Sequence, residues 1–201
     1  MRPESSRKIK IAPLDLHFED QLIAFTDLCF GARFYSKQDL RTVFEYSHCQ
    51  GKNASLVAWD GTKIVGIRFT FAPYSNWDVL FGQNKILPEN WGFPEETAAY
   101  FKTLSVHPDY QMQGLGSRLS RASIGILKEM KASCIVSHSW KESPGNSSLK
   151  YFSKMNFKPI GEHPMFWANI DYDCTLCKKP PCRCTSVEMI YPIEESDNIE
   201  E

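Results

Sequence analysis

The sequence predicts one α/β (α+β) domain in which helices pack on a central sheet. The chain has 201 residues, a length that suits one domain or one domain with a small appendage. Hydrophobic residues make up 42% and charged residues 23%, as in ordinary globular proteins. In the second half, segments with strand and helix patterns alternate, which is typical of helices packed on a sheet.

Charge and hydropathy exclude several classes of protein. The chain has 23 basic and 24 acidic residues and a net charge of −1, whereas a nucleic-acid-binding protein usually has a basic excess. No apolar run approaches the roughly 18 residues that a membrane helix needs. The residues that follow Met1 lack the apolar stretch of a signal peptide. We therefore expect a soluble cytoplasmic protein that binds neither nucleic acid nor membrane.

In the first half, alternating apolar residues predict strands, and spacings of three and four residues predict helices. Ser36 is a plausible N-cap for the second helix. The dipeptide Asp60-Gly61 between two strand-like runs predicts a hairpin. These rules predict a strand at 8–12, helices at 18–30 and from Ser36, and hairpin strands at 55–59 and 63–71.

In the second half, the pattern is clearest for a long helix from Gly114 to about Lys131, whose apolar residues recur every three or four positions. The other predicted elements are strands at 98–106, 134–140, from 157 and at 187–193, and a helix at 146–155. The predicted organisation is a main domain at 1–170 with an irregular insertion at 74–97, a cysteine-rich segment with the final strand at 171–193, and a disordered acidic tail at 194–201.

The segment from Leu104 to Gly116 carries the strongest chemical signal. A strand ends, a loop follows, and a helix begins at Gly114 and Gly116. Amides at a helix N-terminus lack intrahelical partners and bind phosphate oxygens, and glycines allow a diphosphate to approach the backbone. A simple strand–turn–helix explains the glycines equally well. The Walker and Rossmann patterns fit poorly.

Two segments resemble those of the GNAT superfamily of N-acetyltransferases. The first is QMQGLG at 111–116, preceded by LSVHP at 104–108, which is similar to the family pattern Gln/Arg-x-x-Gly-x-Gly/Ala. The second is NSSLKYFSKMNF at 146–157, where an asparagine opens a helix and an aromatic pair follows. Asn156 replaces the usual glycine of this segment, and asparagine tolerates a positive φ better than most residues. Both segments occur at the expected distance.

The resemblance implies a GNAT-type mixed, mostly antiparallel central sheet with helices on both faces and a splayed strand pair at the cofactor site. It also implies transfer of an acetyl group from acetyl-CoA to an amine of a small molecule or peptide by direct attack. Relatives are often dimers, so a homodimer is also consistent with it. The residues implied to bind acetyl-CoA are Leu104, Ser105, Val106, Gln111, Met112, Gln113, Gly114, Leu115, Gly116, Ser117 and Asn146.

Direct attack needs a group that takes a proton from the amine and a group that gives one to the CoA thiolate. In relatives the donor is often a tyrosine, and Tyr151 is the best candidate, although counting back from Phe157 places that position at Phe152. Counting without gaps places Tyr100 at the position of the strand glutamate that some relatives have. Glu95 and Glu96 lie just upstream as alternatives, although charges at a strand end are more often solvated, and His138 is the other candidate base. For Tyr151 and His138 alike, the alternative is a packing role.

Four cysteines form a cluster with the spacing Cys-x2-Cys-x4-Cys-x-Cys. Without a secretion signal, the odd total of 7 cysteines argues against a disulfide framework. Zinc binds four thiolates tetrahedrally. A structural Zn²⁺ site is the favoured interpretation, and free thiols, an iron–sulfur centre or a reversible disulfide are the alternatives. The metal-ligand candidates are Cys174, Cys177, Cys182 and Cys184.

Three functions remain open on the sequence alone. The first is an N-acetyltransferase with acetyl-CoA and an unidentified amine as partners. The second is an acyl-CoA-binding sensor without turnover, and the third is a zinc-stabilised interaction module. The aromatic residues of the insertion are expected either to line the acceptor side or to join the core. They are Trp77, Phe81, Trp91 and Phe93.

Overall fold

The computed structural model describes residues 8–81, 86–170 and 174–194. In these ranges the strands are β1 (Lys10–Pro13), β2 (His48–Cys49), β3 (Lys52–Asn53), β4 (Leu56–Asp60), β5 (Lys63–Phe71), β6 (Ala98–Val106), β7 (Cys134–Trp140), β8 (Lys158–His163) and β9 (Ser186–Pro192). The α-helices are α1 (Glu19–Phe30), α2 (Lys37–Tyr46), α3 (Trp77–Phe81), α4 (Leu115–Glu129) and α5 (Ser147–Lys154). Residues 171–173 of the predicted cysteine-rich segment and 195–201 of the predicted acidic tail lie outside the described ranges.

Seven of these strands form one sheet in the order β1-β4-β5-β6-β7-β9-β8. Strands β6 and β7 are parallel, and every other neighbouring pair in this sheet is antiparallel. The predicted mixed, mostly antiparallel sheet is therefore confirmed. Strands β2 and β3 pair separately. None of the described helices is long and apolar enough to cross a bilayer.

Helices cover both faces of the sheet, as predicted. On one face, Leu22 of α1 and Leu40 of α2 pack in a cluster with Ile67 of β5. On the other, Leu127 of α4 and Phe152 of α5 share a cluster with neighbouring strands. Burial of one such side chain contributes roughly 1.5–3 kcal/mol, so these two layers account for much of the apolar driving force.

The N-terminus of α2 confirms the predicted cap. The Ser36 hydroxyl accepts a hydrogen bond from the Asp39 amide at 3.1 Å, and the Asp39 carboxylate accepts one from the Ser36 amide at 2.8 Å. This reciprocal arrangement is a capping box. A cap of this kind contributes about 1 kcal/mol.

Strands β6 and β7 separate partway along their length. Their parallel pairing runs from Ala98 opposite Cys134 to Phe101 opposite Ser137. At this point Lys102 is an extra residue in the β5–β6 register, which makes a β-bulge. A bulge bends a strand and increases its twist. The bulge therefore lies where the two strands diverge.

The insertion at 74–97 is more regular than the sequence indicates. Its described residues include α3 and two short 3₁₀ turns, at Pro88–Asn90 and Glu95–Thr97. Trp77 and Trp91 are each 3% exposed, and their rings pack together 4.9 Å apart. Of the two roles predicted for the aromatic residues, core packing therefore holds for these tryptophans.

Candidate active site

A cavity of about 590 Å³ opens between β6 and β7, where the two strands separate. This volume is in the range of small-molecule sites. The walls come from β6, β7, α1 and α5, and from residues near the cysteine cluster. The lining includes Cys29, Phe30, Phe34, Arg68, Leu104, Gln111, His138, Trp140, Ser148, Tyr151, Phe152, Trp167, Cys174 and Thr175.

The loop before α4 adjoins this cavity. Gly114 has a φ of 76° and Met112 a φ of 59°, so the chain enters the helix through left-handed backbone. Gly114 caps the helix without a side-chain hydrogen bond. A Cβ on Gly116 would lie 3.3 Å from Leu104 Cδ2, so the glycine lets α4 approach β6 closely. The first amides of α4 can therefore bind an anion.

Most of the residues predicted to bind acetyl-CoA lie in this region. Leu104 and Gln111 line the cavity, and Ser105 and Val106 follow Leu104 on β6. The Gln111 side chain donates to the Val106 carbonyl at 2.9 Å and closes the loop. The remaining residues form the loop and the first turn of α4. They are Met112, Gln113, Gly114, Leu115, Gly116 and Ser117.

Asn146 is not among the residues that line the cavity. It is the exposed N-cap of α5, with a φ of 55°. The next two residues, Ser147 and Ser148, line the cavity. Asn146 therefore sets the start of the helix that carries Tyr151.

The hydroxyl of Tyr151 belongs to a hydrogen-bonded group at the cavity wall. It donates to Ser120 Oγ at 2.6 Å and lies 3.3 Å from the Gly116 carbonyl oxygen. Arg68 Nη2 lies 3.5 Å from the same hydroxyl oxygen. Phe152 also lines the cavity but is buried in the apolar core. Of this aromatic pair, only Tyr151 can donate a proton.

Arg68 is a site residue that the sequence reasoning missed. The residue is 1% exposed, and its Nε and Nη2 atoms donate to Ser120 Oγ at 3.0 and 2.8 Å. Its guanidinium lies 4.1 Å from the centre of the Phe101 ring. No carboxylate within the described residues forms an ion pair with it. Burial lowers the pKa of Arg68, although arginine stays charged in proteins.

His138 lies at the cavity and is held by aromatic neighbours. Its Nδ1 forms a 3.0 Å hydrogen bond with the Tyr100 hydroxyl, and Phe166 stacks on its ring at 4.2 Å. Burial raises the pKa of Tyr100 well above 10.0, so this hydroxyl is neutral in the working pH range. Tyr100, which the resemblance places at the position of a strand glutamate in some relatives, thus contacts the candidate base.

A buried carboxylate lies beside His138. Glu188 is 0% exposed and faces His138 across the β7–β9 register. Its Oε1 accepts from Trp91 Nε1 at 2.7 Å, and its Oε2 lies 2.6 Å from His163 Nε2. One ligand atom each from His138, His163 and Glu188 lie within 4.8 Å of one another. The sequence reasoning missed this group.

The four predicted metal ligands come together at the edge of the cavity. Their sulfur atoms lie within 4.8 Å of one another. Cys174, Cys182 and Cys184 are buried, and Cys177 is partly exposed. Burial raises the pKa of Cys174, but hydrogen bonds from the amides of Cys177 and Leu176 and from nearby thiols outweigh this effect and bring the pKa to about 7.

Comparison with solved structures gives several similar folds. The ribosomal-protein-S18-alanine N-acetyltransferase from Escherichia coli has a TM-score of 0.65 and 13% identity, with 96% of this chain and 99% of that chain covered. Arabidopsis thaliana Naa50, solved with the bisubstrate analogue CoA-Ac-MVNAL, has a TM-score of 0.63 and 14% identity, with 92% and 99% covered. The Drosophila melanogaster polyamine N-acetyltransferase has a TM-score of 0.62 and 11% identity, with 92% and 100% covered.

At these identities the structural similarity shows the fold alone. A search of curated proteins found no match. The family model described as the acetyltransferase (GNAT) family matches residues 20–157, which include β6, the loop before α4, and α5. Because this match spans more than half of the chain, the protein belongs to the GNAT acetyltransferase family.

Proposed function

We propose that this protein is an N-acetyltransferase that moves an acetyl group from acetyl-CoA to an amine by direct attack. The observation that carries the proposal is the cavity between β6 and β7, which we call the cleft from here on. It adjoins the glycine-rich N-terminus of α4 and is lined by His138 and Tyr151. The cleft therefore adjoins helix amides that can bind an anion, and it is lined by two side chains, His138 and Tyr151, that can transfer protons.

Acetyl-CoA fits the features of this cleft. The amides of residues 112–117 would hold its diphosphate, and the backbone of Leu104–Val106 would pair with its extended arm where β6 has separated from β7. The bound thioester supplies an activated acetyl group. The remaining tasks, which are to orient the amine and to move two protons, belong to the side chains of this chain.

The thiols near the cleft favour direct attack over an acyl-enzyme. Burial raises the pKa of the Cys29 thiol, which lines the cleft. A thiol acts as a nucleophile only as its thiolate. Cys174 also lines the cleft but belongs to the four-cysteine cluster.

His138 is the proposed base. An aliphatic amine with a pKa near 10.4 is mostly protonated at neutral pH, so it must lose a proton before it attacks. The buried carboxylate of Glu188 would stabilise a proton on His138, since the two groups are close in a region of low dielectric. The neutral Tyr100 hydroxyl fixes the orientation of the ring.

Tyr151 is the proposed acid. Its hydroxyl would give a proton to the departing thiolate, and the positive charge of Arg68 would stabilise the resulting phenolate. Ser120 bonds to both side chains and holds them together. The pair Arg68–Ser120 therefore positions the acid.

The aromatic residues that line the cleft indicate which class of amine acceptor it would bind. Phe30 and Phe34 stack at 4.7 Å, and both border the cleft together with Trp140 and Trp167. Aromatic surface of this kind favours a ligand with apolar area beside its polar group. We propose an acceptor whose amine is flanked by an apolar body.

The anion site can be tested by titration of acetyl-CoA and CoA into the full chain. We expect Gly114→Ala to weaken both affinities about tenfold, because an alanine in left-handed backbone costs roughly 1–2 kcal/mol and the loop would shift to relieve this strain. Gly125→Ala is the matched control, since Gly125 lies in the same helix with open space at its Cβ. Equal affinities for the two variants would contradict the assignment.

Turnover separates the enzyme from a sensor. Release of free CoA is measured with a library of amines, half of them with apolar flanks. Thiol release with any amine supports the proposal, and a preference for apolar flanks supports the proposed acceptor class. Tight acetyl-CoA binding without release across the library would instead indicate a non-catalytic acyl-CoA-binding protein.

Tyr151→Phe is expected to lower kcat roughly 10²-fold with little change in acetyl-CoA affinity, because the proton donor is lost while the ring stays. Steady-state kinetics checks this, with Tyr74→Phe on the exposed surface as control. The double variant Tyr151→Phe/Phe152→Tyr should stay inactive, because position 152 is buried in the core. Recovery of activity in that double variant would place the acid at residue 152.

A further inference from the structure

The sulfur distances in the cysteine cluster match a tetrahedral metal site. Four thiolates at about 2.3 Å from a zinc ion lie about 3.8 Å from one another. The Cys174 and Cys184 sulfurs are 3.8 Å apart, and those of Cys177 and Cys184 are 3.7 Å apart. A disulfide needs sulfurs at about 2.05 Å. The cluster therefore has the size of a metal-bound set.

The backbone around the cluster favours thiolates over thiols. The Cys177 amide points at Cys174 Sγ at 3.4 Å, and the Arg183 amide points at Cys177 Sγ at 3.3 Å. Lys178 has a φ of 70° and donates its amide to the Cys174 carbonyl at 2.8 Å, which closes a tight turn. Amide donors directed at sulfur stabilise negative charge on it.

The basic side chains and the Trp140 indole beside the cluster also favour bound thiolates. Four thiolates and one zinc ion carry a net charge of −2, and the exposed Lys179 and Arg183 lie in the same segment. The half-buried Trp140 ring packs on the cluster, and its indole N–H is directed at the Cys184 sulfur. A metal-bound thiolate would accept from this indole.

The cluster is also joined to the cleft. Cys174 and Thr175 line the cleft. Trp167 also lines the cleft, and it packs on the cysteine cluster. The Cys184 carbonyl accepts a hydrogen bond from the Phe166 amide at 3.2 Å. The Phe166 ring in turn stacks on His138. The position of Cys184 therefore influences His138 through two contacts, the Phe166–Cys184 hydrogen bond and the Phe166–His138 stacking.

We infer that Cys174, Cys177, Cys182 and Cys184 bind one zinc ion and that this ion holds the cleft wall and Phe166 in place. Four thiolates leave no open coordination position, so the ion has a structural role. The first part of the inference is independent of catalysis. The second part, on the cleft wall, rests on the proposed function.

The full chain, purified without added metal, is analysed for metal content and then exchanged with cobalt. We expect one zinc per chain, and a cobalt derivative with sulfur-to-metal charge-transfer absorption and the intense visible bands of a tetrahedral ion. Four further thiols should react with a thiol reagent after chelation. Four reactive thiols without metal, a disulfide found by mass spectrometry, or iron in place of zinc would each overturn the inference.

Cys182→Ser is expected to lower zinc content at least tenfold, with Cys49→Ser, outside the cluster, as the matched control. Because a cysteine variant can misfold, the cobalt spectrum of the unaltered chain remains the deciding measurement. Removal of zinc should weaken acetyl-CoA binding and slow turnover severalfold. Zinc binding without this effect would overturn the link to the cleft, whereas zinc binding in a chain without any acetyl-CoA affinity would count against the proposed function.

Discussion

His138→Gln is expected to lower kcat/KM roughly 10²–10⁴-fold while acetyl-CoA affinity changes little. Glutamine keeps a polar side chain of similar length but cannot take a proton at neutral pH. The Tyr100 hydroxyl and the Phe166 ring, which hold His138 in place, are left in the variant. The loss would therefore report proton transfer from the amine and not a change in the fold.

Steady-state kinetics across pH checks this role, with His48→Gln, an exposed histidine, as control. Glu188→Gln should lower the plateau of kcat/KM, because the buried carboxylate beside His138 and His163 is lost. An unchanged profile in both variants would assign His138 and Glu188 to packing alone.

Arg68→Met is expected to raise stability and to lower activity. The guanidinium is buried without a carboxylate partner in the described part of the chain and bonds to one hydroxyl oxygen through two nitrogens. Replacing a buried ion pair with apolar side chains of similar size is often neutral or stabilising by about 1–4 kcal/mol, and a charge without an opposite charge costs more to bury. Ser120 and Tyr151 keep their mutual hydrogen bond in the variant.

The same change should lower kcat about tenfold, which corresponds to 1.4 kcal/mol, because the charge that supports a phenolate on Tyr151 is lost. Urea denaturation and steady-state kinetics measure the two effects. Arg68→Lys keeps the charge and should recover part of the activity. A large loss of stability in Arg68→Met would show that the bonds to Ser120 and the Phe101 contact outweigh the cost of burial. Equal activity would remove Arg68 from the mechanism.

Local signals in the sequence determined much of this molecule. The spacing of apolar residues predicted the sheet strands and α4, and the Ser36 cap marked the start of α2. Both signals act over a few residues. The loop before α4 was predicted from Gly114 and Gly116, and the structure gives Gly114 a left-handed φ of 76°. The resemblance to the GNAT family implied a mixed, mostly antiparallel sheet, and the structure confirms it. The spacing of the four cysteines predicted a cluster, and the structure brings them together.

The tertiary structure alone decided which side chains share the cleft. Glu188 lies beside His138 because β9 pairs with β7 in one particular register, and no local pattern fixes the register of strands 50 residues apart. His163 joins them as the last residue of β8, where it pairs opposite Ser186 of β9. A lone arginine in the apolar strand β5 and a lone glutamate in β9 were the available signals, but their partners come from distant segments. Pairing across the sheet, which is a long-range property, therefore determined the candidate catalytic group.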